Sequence, residues 1–269
     1  MQGLPPVAIE RLNRAARSGV RTSLLSAPSA AGIKAVGLEP VGEVMGCVVL
    51  NVASRYQTYA PMYGYSNVGA TAMPYLNALQ TGYGTALDRL REEARALGAD
   101  GVVDIRLSLS SLGQAEEFLA MGTAVRAQST TRPKSLFTTD LSGSDVAKLM
   151  LSGWVPVQVE WAGAANALFT GYATQAQTAY YAGNTEVDSY TALINRVRSD
   201  ARTRFHDMVR SAGADGGIAS ELAVSTWEPG EQVVAALAYV YGTAIAKFHR
   251  GDSVPARTLT VMPLRRQGE

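Results

Sequence analysis

The sequence predicts an α+β fold built from two strand–helix–strand–strand repeats, each a three-stranded antiparallel sheet carrying one long helix. Two observations carry that reading. Leu97-Gly98-Ala99-Asp100-Gly101-Val102-Val103 closes a charged amphipathic stretch, turns and starts an apolar one, and Ala212-Gly213-Ala214-Asp215-Gly216-Gly217-Ile218 does so again. Matching Pro40 to Pro156, Gly98 to Gly213 and Gly122 to Gly242 gives offsets of 116, 115 and 120 residues. Such a period is too long for a solenoid and suits a duplicated domain.

The elements follow in order. Residues 1–20 place Val7, Leu12, Ala15 and Ala16 at near-helical spacing behind Pro5-Pro6, predicting a short amphipathic helix with Pro6 in its first turn. This extension lies outside the repeats, which span 21–128 and 135–250 with a linker at 129–134 and a tail at 251–269. Each repeat opens with a short helical segment, Ala30 to Val36 and Asp145 to Leu151, ending at Gly37 and Gly153 where a left-handed cap is wanted. Pro40 and Pro156 then introduce strands, Val41 to Val52 and Val157 to Ala162. A long connection expected to be irregular comes next, carrying Tyr56, Tyr59, Tyr63 and Tyr65 in one copy and Phe169, Tyr172, Tyr180 and Tyr181 in the other.

The main helices are predicted at about Pro74 to Leu97 and Ser189 to Ala212. Their apolar stripes read Tyr75, Leu79, Leu90, Ala94, Leu97 and Tyr190, Ile194, Val197, Ala201, Phe205, Met208, Ala212. Gly82 and Gly84 interrupt the first stripe and imply a kink or a close contact. After the repeated motif, Val102 to Leu109 and Phe118 to Val125 form one strand pair, with Val103, Ile105, Leu107 and Leu109 alternating with polar neighbours. Ile218 to Val224 and Val233 to Ile245 form the other. Val233 to Val240 is apolar throughout, so the sheet face away from the helix also needs a cover, and a second sheet is the expected one. Thr258 to Met262 reads as a short edge strand in the tail.

Composition narrows the function classes. With 24 basic and 23 acidic side chains there is no global charge to draw nucleic acid or an anionic membrane. No run of about 18 apolar residues predicts a membrane span, and Met1 to Gly19 carries Glu10, Arg11, Arg14 and Arg17 where a signal peptide needs an apolar core. Cys47 is the single cysteine, so no intrachain disulfide forms and the expected compartment is the cytoplasm.

Chemistry-bearing residues are sparse. The weak metal candidates are Cys47, His206 and His249, with Met45, Asp100, Asp104 and Asp215 as further donors, and they form no recognised ligand spacing. Cys47 sits in an apolar strand, where a free cysteine usually behaves as a small buried hydrophobe. His206 reads as a surface or interface side chain. Asp100 and Asp215 each follow a helix-ending glycine and precede a strand, so Gly98, Asp100, Gly101 and Gly213, Asp215, Gly216 read as structural turns. There is no Gly-x-Ser-x-Gly elbow and no phosphate loop, and neither a catalytic set nor a cofactor site is predicted. The tyrosine loops are the most distinctive feature, suited to an interface or to a small-ligand or protein partner.

The strand ending near Gly46, the helix leading into Leu97 to Val103, and the closing Gly122-Thr123-Ala124-Val125 resemble the YbjQ-like family, whose label is a heavy-metal-binding domain. The resemblance covers most of 40–127 and, with weaker identity, 153–248. It implies a dodecin-like unit that assembles into a cyclic homo-oligomer. The expected function is therefore a non-enzymatic ring-forming scaffold or binding protein; the alternatives are a metal-binding protein with ligands gathered across the ring, then an enzyme of unknown type.

Overall fold

The computed structural model describes residues 4–18, 22–52, 72–130 and 132–247. Helix α1 (Pro6–Ser18) precedes α2 (Ala27–Ala35), β1 (Leu38–Asn51), α3 (Met73–Ala96), β2 (Gly101–Leu112) and β3 (Ala115–Ala127). The second half runs β4 (Phe137–Thr138), α4 (Gly143–Leu151), β5 (Trp154–Phe169), α5 (Tyr172–Thr178), a 3-10 turn at Tyr180–Ala182, α6 (Asp188–Ser211), β6 (Gly216–Gly230) and β7 (Val233–Lys247). Matching side chains start the short helices: Ser26 Oγ accepts the Ser29 N–H and Ser142 Oγ accepts the Asp145 N–H. Matching glycines end the turns after them, with φ of 76° at Gly37 and 85° at Gly153, a region an L side chain rarely enters.

The two sheets share one topology, β1-β3-β2 and β5-β7-β6, all antiparallel. The first is not three-stranded as expected, because β4 adds to the edge of β2 in parallel, Gly101 beside Phe137 and Val102 beside Thr138. Backbone bonds from Phe137 N–H to Asp100 O and from Thr139 N–H to Val102 O hold it there. Strand β5 also outruns its expected end at Ala162, because its alanine-rich continuation stays in register with β7 as far as Phe169 opposite Val233. In β2 a bulge between Val103 and Arg106, with Asp104 at φ 55°, breaks the expected alternation. Val103 packs with Ile33 and Val146 while Ile105 joins the main core, so the two lie on opposite faces.

Helix α3 lies between the sheets. On one side Leu79, Ala86, Leu90 and Ala94 pack on Val44, Phe118 and Ala120. The Phe118 ring stands 2.5 Å from where a Cβ on Gly82 would be, so that glycine marks a close contact. On the other side Tyr83 meets Trp161 at 5.1 Å between ring centroids, Trp161 stacks on Tyr239 at 5.6 Å, and Tyr75 meets Trp227 edge-on at 5.4 Å. The second sheet's spare face is thus covered by a helix of the first half instead of the expected sheet, since its bulky rings seat between the tyrosines of α3. Its other face, lined by Ala162, Ala164, Ala236, Ala238 and Val240, carries α6. There Leu193 and Val209 take buried places beside Val197, Ala201 and Phe205, whereas the expected Ile194, Met208 and Ala212 border the contact. The flat alanine surface lets the helix settle turned slightly from its predicted stripe.

Trp161 is 7% exposed and ties the two halves together. Trp161→Ala should lower equilibrium stability in urea by about 3–5 kcal/mol, the usual cost of emptying a buried aromatic site; a loss under about 1 kcal/mol would contradict that weight.

Candidate functional site

The contact between the halves combines aromatic packing with buried hydrogen bonds. Besides the aromatic stack, Tyr241 Oη donates to the Ile105 carbonyl at 2.8 Å and Thr139 N–H to the Val102 carbonyl at 2.9 Å; within the second half, Val159 N–H donates to Thr138 Oγ1 at 3.0 Å. Also within the second half, and holding β4 to the sheet of its own half, Thr139 and Thr243 share a hydroxyl hydrogen bond of 2.9 Å, and Thr243 donates to the Asp140 carboxylate. Thr138, Thr139 and Thr243 are fully buried, so each hydroxyl needs these partners. Burial, then the charges of Asp140 and Glu221, raises the Tyr241 phenol far above its ordinary range. Tyr83 is pushed up to about 12, first by burial. Both phenols therefore stay protonated at neutral pH.

The acids singled out in the sequence are engaged by their surroundings. Asp100 accepts the Ala127 N–H at 2.8 Å and pairs with Arg132 at 2.8 Å; Asp215 accepts the Lys247 N–H at 2.9 Å. The two carboxylates hold equivalent places beside Gly98, Gly101 and Gly213, Gly216. Asp104 pairs with Arg106 at 3.0 Å. His206 is exposed on α6, its Nδ1 3.5 Å from Arg210. It borders a groove of about 610 Å³ between α6 and β6, lined also by Arg202, Phe205, Asp215, Gly216 and Gly217. His249 lies outside the described residues, as does the expected strand at Thr258 to Met262. Among the described residues no three His, Cys, Asp or Glu side chains gather as a metal site.

Cys47 is half-buried on the face of the first sheet away from α3, beside Met45. Its thiol donates to Glu117 at 3.2 Å, and burial together with that carboxylate pushes its pKa up to about 11. Glu93 was not a sequence candidate, yet it is 1% exposed, accepts the Met45 N–H at 2.8 Å and pairs with Arg11 of α1. Its signal was an acid among Leu90, Ala94 and Leu97 on an otherwise apolar stripe.

Tyr56, Tyr59, Tyr63 and Tyr65 lie outside the described residues. Their counterparts are not on an irregular loop: Phe169 ends β5, Tyr172 opens α5, and Tyr180 and Tyr181 form the 3-10 turn. Thr174 and Ser189 hydroxyls, 2.9 Å apart, and Gln177 Nε2 donating to Asp188 at 2.9 Å fasten this segment to α6. Tyr172, Tyr180 and Tyr181 nevertheless project to solvent, at 88%, 106% and 86% exposure.

A family model, YbjQ_1, described as "Putative heavy-metal-binding", matches residues 33–128, which run from α2 to the end of β3. Over its whole length the chain is similar to the Encapsulin nanocompartment protein Rv1762c of Mycobacterium tuberculosis, 31% identical over 264 residues covering 93% of this chain and 94% of that protein. It is also similar to the UPF0145 protein of Archaeoglobus fulgidus, 38% identical over 89 residues, 32% of this chain and 82% of that one. The chain belongs to the YbjQ family. A UPF0145 protein of Thermosipho africanus, 33% identical over 96 residues, likewise matches 33% of this chain and 82% of its own. These UPF0145 relatives each correspond to about a third of the chain, whereas the mycobacterial protein is matched over 93% of it. No helix among the described residues is long and apolar enough to cross a membrane.

The Cys47 environment gives a direct test. Alkylation by iodoacetamide should accelerate as pH rises through about 11, well above the ordinary thiol value of 9.0. Glu117→Gln removes the charge that favours the neutral thiol and should move that midpoint down. An unchanged midpoint would remove Glu117 as a cause.

Proposed function

We propose that this protein is a non-enzymatic, ring-forming scaffold or binding protein, made of two YbjQ-type units at 21–128 and 135–250 and working in the setting of a protein nanocompartment. The observation that carries the reading is the contact between the halves, in which one unit's sheet seats on the other unit's helix through Trp161, stacked on Tyr239, while Tyr241 reaches the Ile105 carbonyl of the other unit's sheet. A unit that binds its like in this manner is a part for assembly. The full-length likeness to an encapsulin nanocompartment protein supports the setting.

The chemistry of the individual side chains agrees with a non-enzymatic role. Asp100 and Asp215 are turn organisers on this reading, each holding the backbone at the end of the neighbouring strand. A soft metal needs the Cys47 thiolate, and Glu117 favours the neutral thiol. The projecting tyrosines are the surface offered to neighbouring subunits. The same reading puts the protein in the cytoplasm, where a lone cysteine needs no oxidised partner.

Native mass spectrometry should give a multiple of the 28.5 kDa chain; a single 28.5 kDa species at micromolar concentration would overturn the assembly. Replacing Tyr172, Tyr180 and Tyr181 with serine should shrink the assembly while changing monomer stability by about 0.5 kcal/mol or less at each exposed position. An unchanged mass would overturn the interfacial role of these tyrosines.

A further inference from the structure

The contact that one half makes with the other leaves a matching plug at the start of the chain and a matching socket at its end. In the socket of the first half, β4 pairs with Gly101 and Val102 of β2, and Thr138 is completely buried. The second half carries the same socket, Gly216 and Gly217 of β6 beside α6. Strand β6 is the outermost of its sheet, and among the described residues no strand pairs with its outer edge. The groove between α6 and β6 opens at this place.

The plug is preformed. At the offset of 116 residues set by Ser26 and Ser142, Thr22 corresponds to Thr138 and Ser23 to Thr139. Leu24 N–H donates to Thr123 Oγ1 at 3.1 Å as Asp140 N–H donates to Thr243 Oγ1 at 3.2 Å. Leu25 N–H donates to Ser23 Oγ at 3.2 Å as Leu141 N–H donates to Thr139 Oγ1 at 3.1 Å. The segment is therefore held against its own sheet in the same way in both halves. Thr138, paired with Val102 of the neighbouring sheet, is buried, whereas Thr22 is exposed.

The broad faces tell the same story. Val159 and Trp161 are buried against α3, while their counterparts Glu43 and Met45 are half-exposed even with α1 in place. On α6 the counterparts of Tyr83 and Leu87 are Arg198 and Arg202, both exposed. Leu87 and Val159 line one cleft between the halves. Repeating that contact between two chains turns this apolar pair into Arg202 against Glu43, and it brings Arg198 onto the face that also carries Glu117. Among the described residues, the outward side of α6 thus presents Arg198 and Arg202 where the outer sheet face presents Glu43 and Glu117.

We propose that a second copy of this chain docks head to tail, its Thr22–Ser23 segment added in parallel to Gly216–Gly217 and its outer sheet face seated on α6 through an Arg202–Glu43 ion pair. The proposal rests on the scaffold reading and specifies its surfaces. Opposite charges at the joint select this register over one that sets two apolar halves together.

Charge reversal tests it. Arg202→Glu alone and Glu43→Arg alone should each weaken assembly by about tenfold or more, and the double variant should restore it; circular dichroism monitors folding. In a Cys47→Ser background, chains carrying Thr22→Cys mixed with chains carrying Gly217→Cys should form an interchain disulfide on mild oxidation, a readout that survives if a charge variant fails to fold. A wild-type assembly that withstands both reversals and yields no disulfide would overturn the docking and leave the scaffold standing. A wild-type monomer would overturn both.

Discussion

The packing of one half on the other centres on Trp161, held between Tyr83 of a helix and Tyr239 of its own sheet. A three-stranded sheet with one helix buries only one of its two faces, and an apolar strand such as β7 leaves the other face in water unless something covers it. Here the cover comes from the preceding half of the same chain. Helix α3 consequently faces two sheets, and its sequence shows the double duty: Ala86, Leu90 and Ala94 meet the first sheet, while Tyr75, Tyr83 and Leu87 turn toward the second. Helix α6 faces one sheet only and is correspondingly polar on its far side.

Much of this was legible in the sequence. The duplication, the order of the elements, the turn glycines and the long helices follow from local chemistry, since caps, left-handed turns and helical periodicity are properties of short segments. What was not legible depends on contact between distant segments. The pairing of Phe137 and Thr138 with β2 involves two residues, too few to carry any periodicity, and they lie outside the half whose sheet they extend. The cover of the second sheet was anticipated as a need, and the wrong kind of element was expected to meet it. Nothing local distinguishes a tryptophan that will meet a strand from one that will meet a helix.

The candidate site shows the same division. Asp100 and Asp215 were readable because the turn that requires them is local. Cys47 was expected to be a buried hydrophobe, and its half-exposed position beside Glu117 follows from which face of β1 turns away from α3. Glu93 stands in an apolar stripe, and its burial depends on the edge of β1 presenting the Met45 N–H and on Arg11 arriving from a separate helix. Asp100, Asp215, Asp104 and Cys47 are thus each engaged with backbone or a neighbouring charge.

The short strand β4 has a topological consequence. Because the opening segment of the second half completes the sheet of the first, the two halves are stitched together and not merely juxtaposed. A cut in the connection at 129–134 would leave one fragment lacking its edge strand and the other carrying an unpaired one. The two similar units are therefore joined by strand pairing as well as by the packing of side chains.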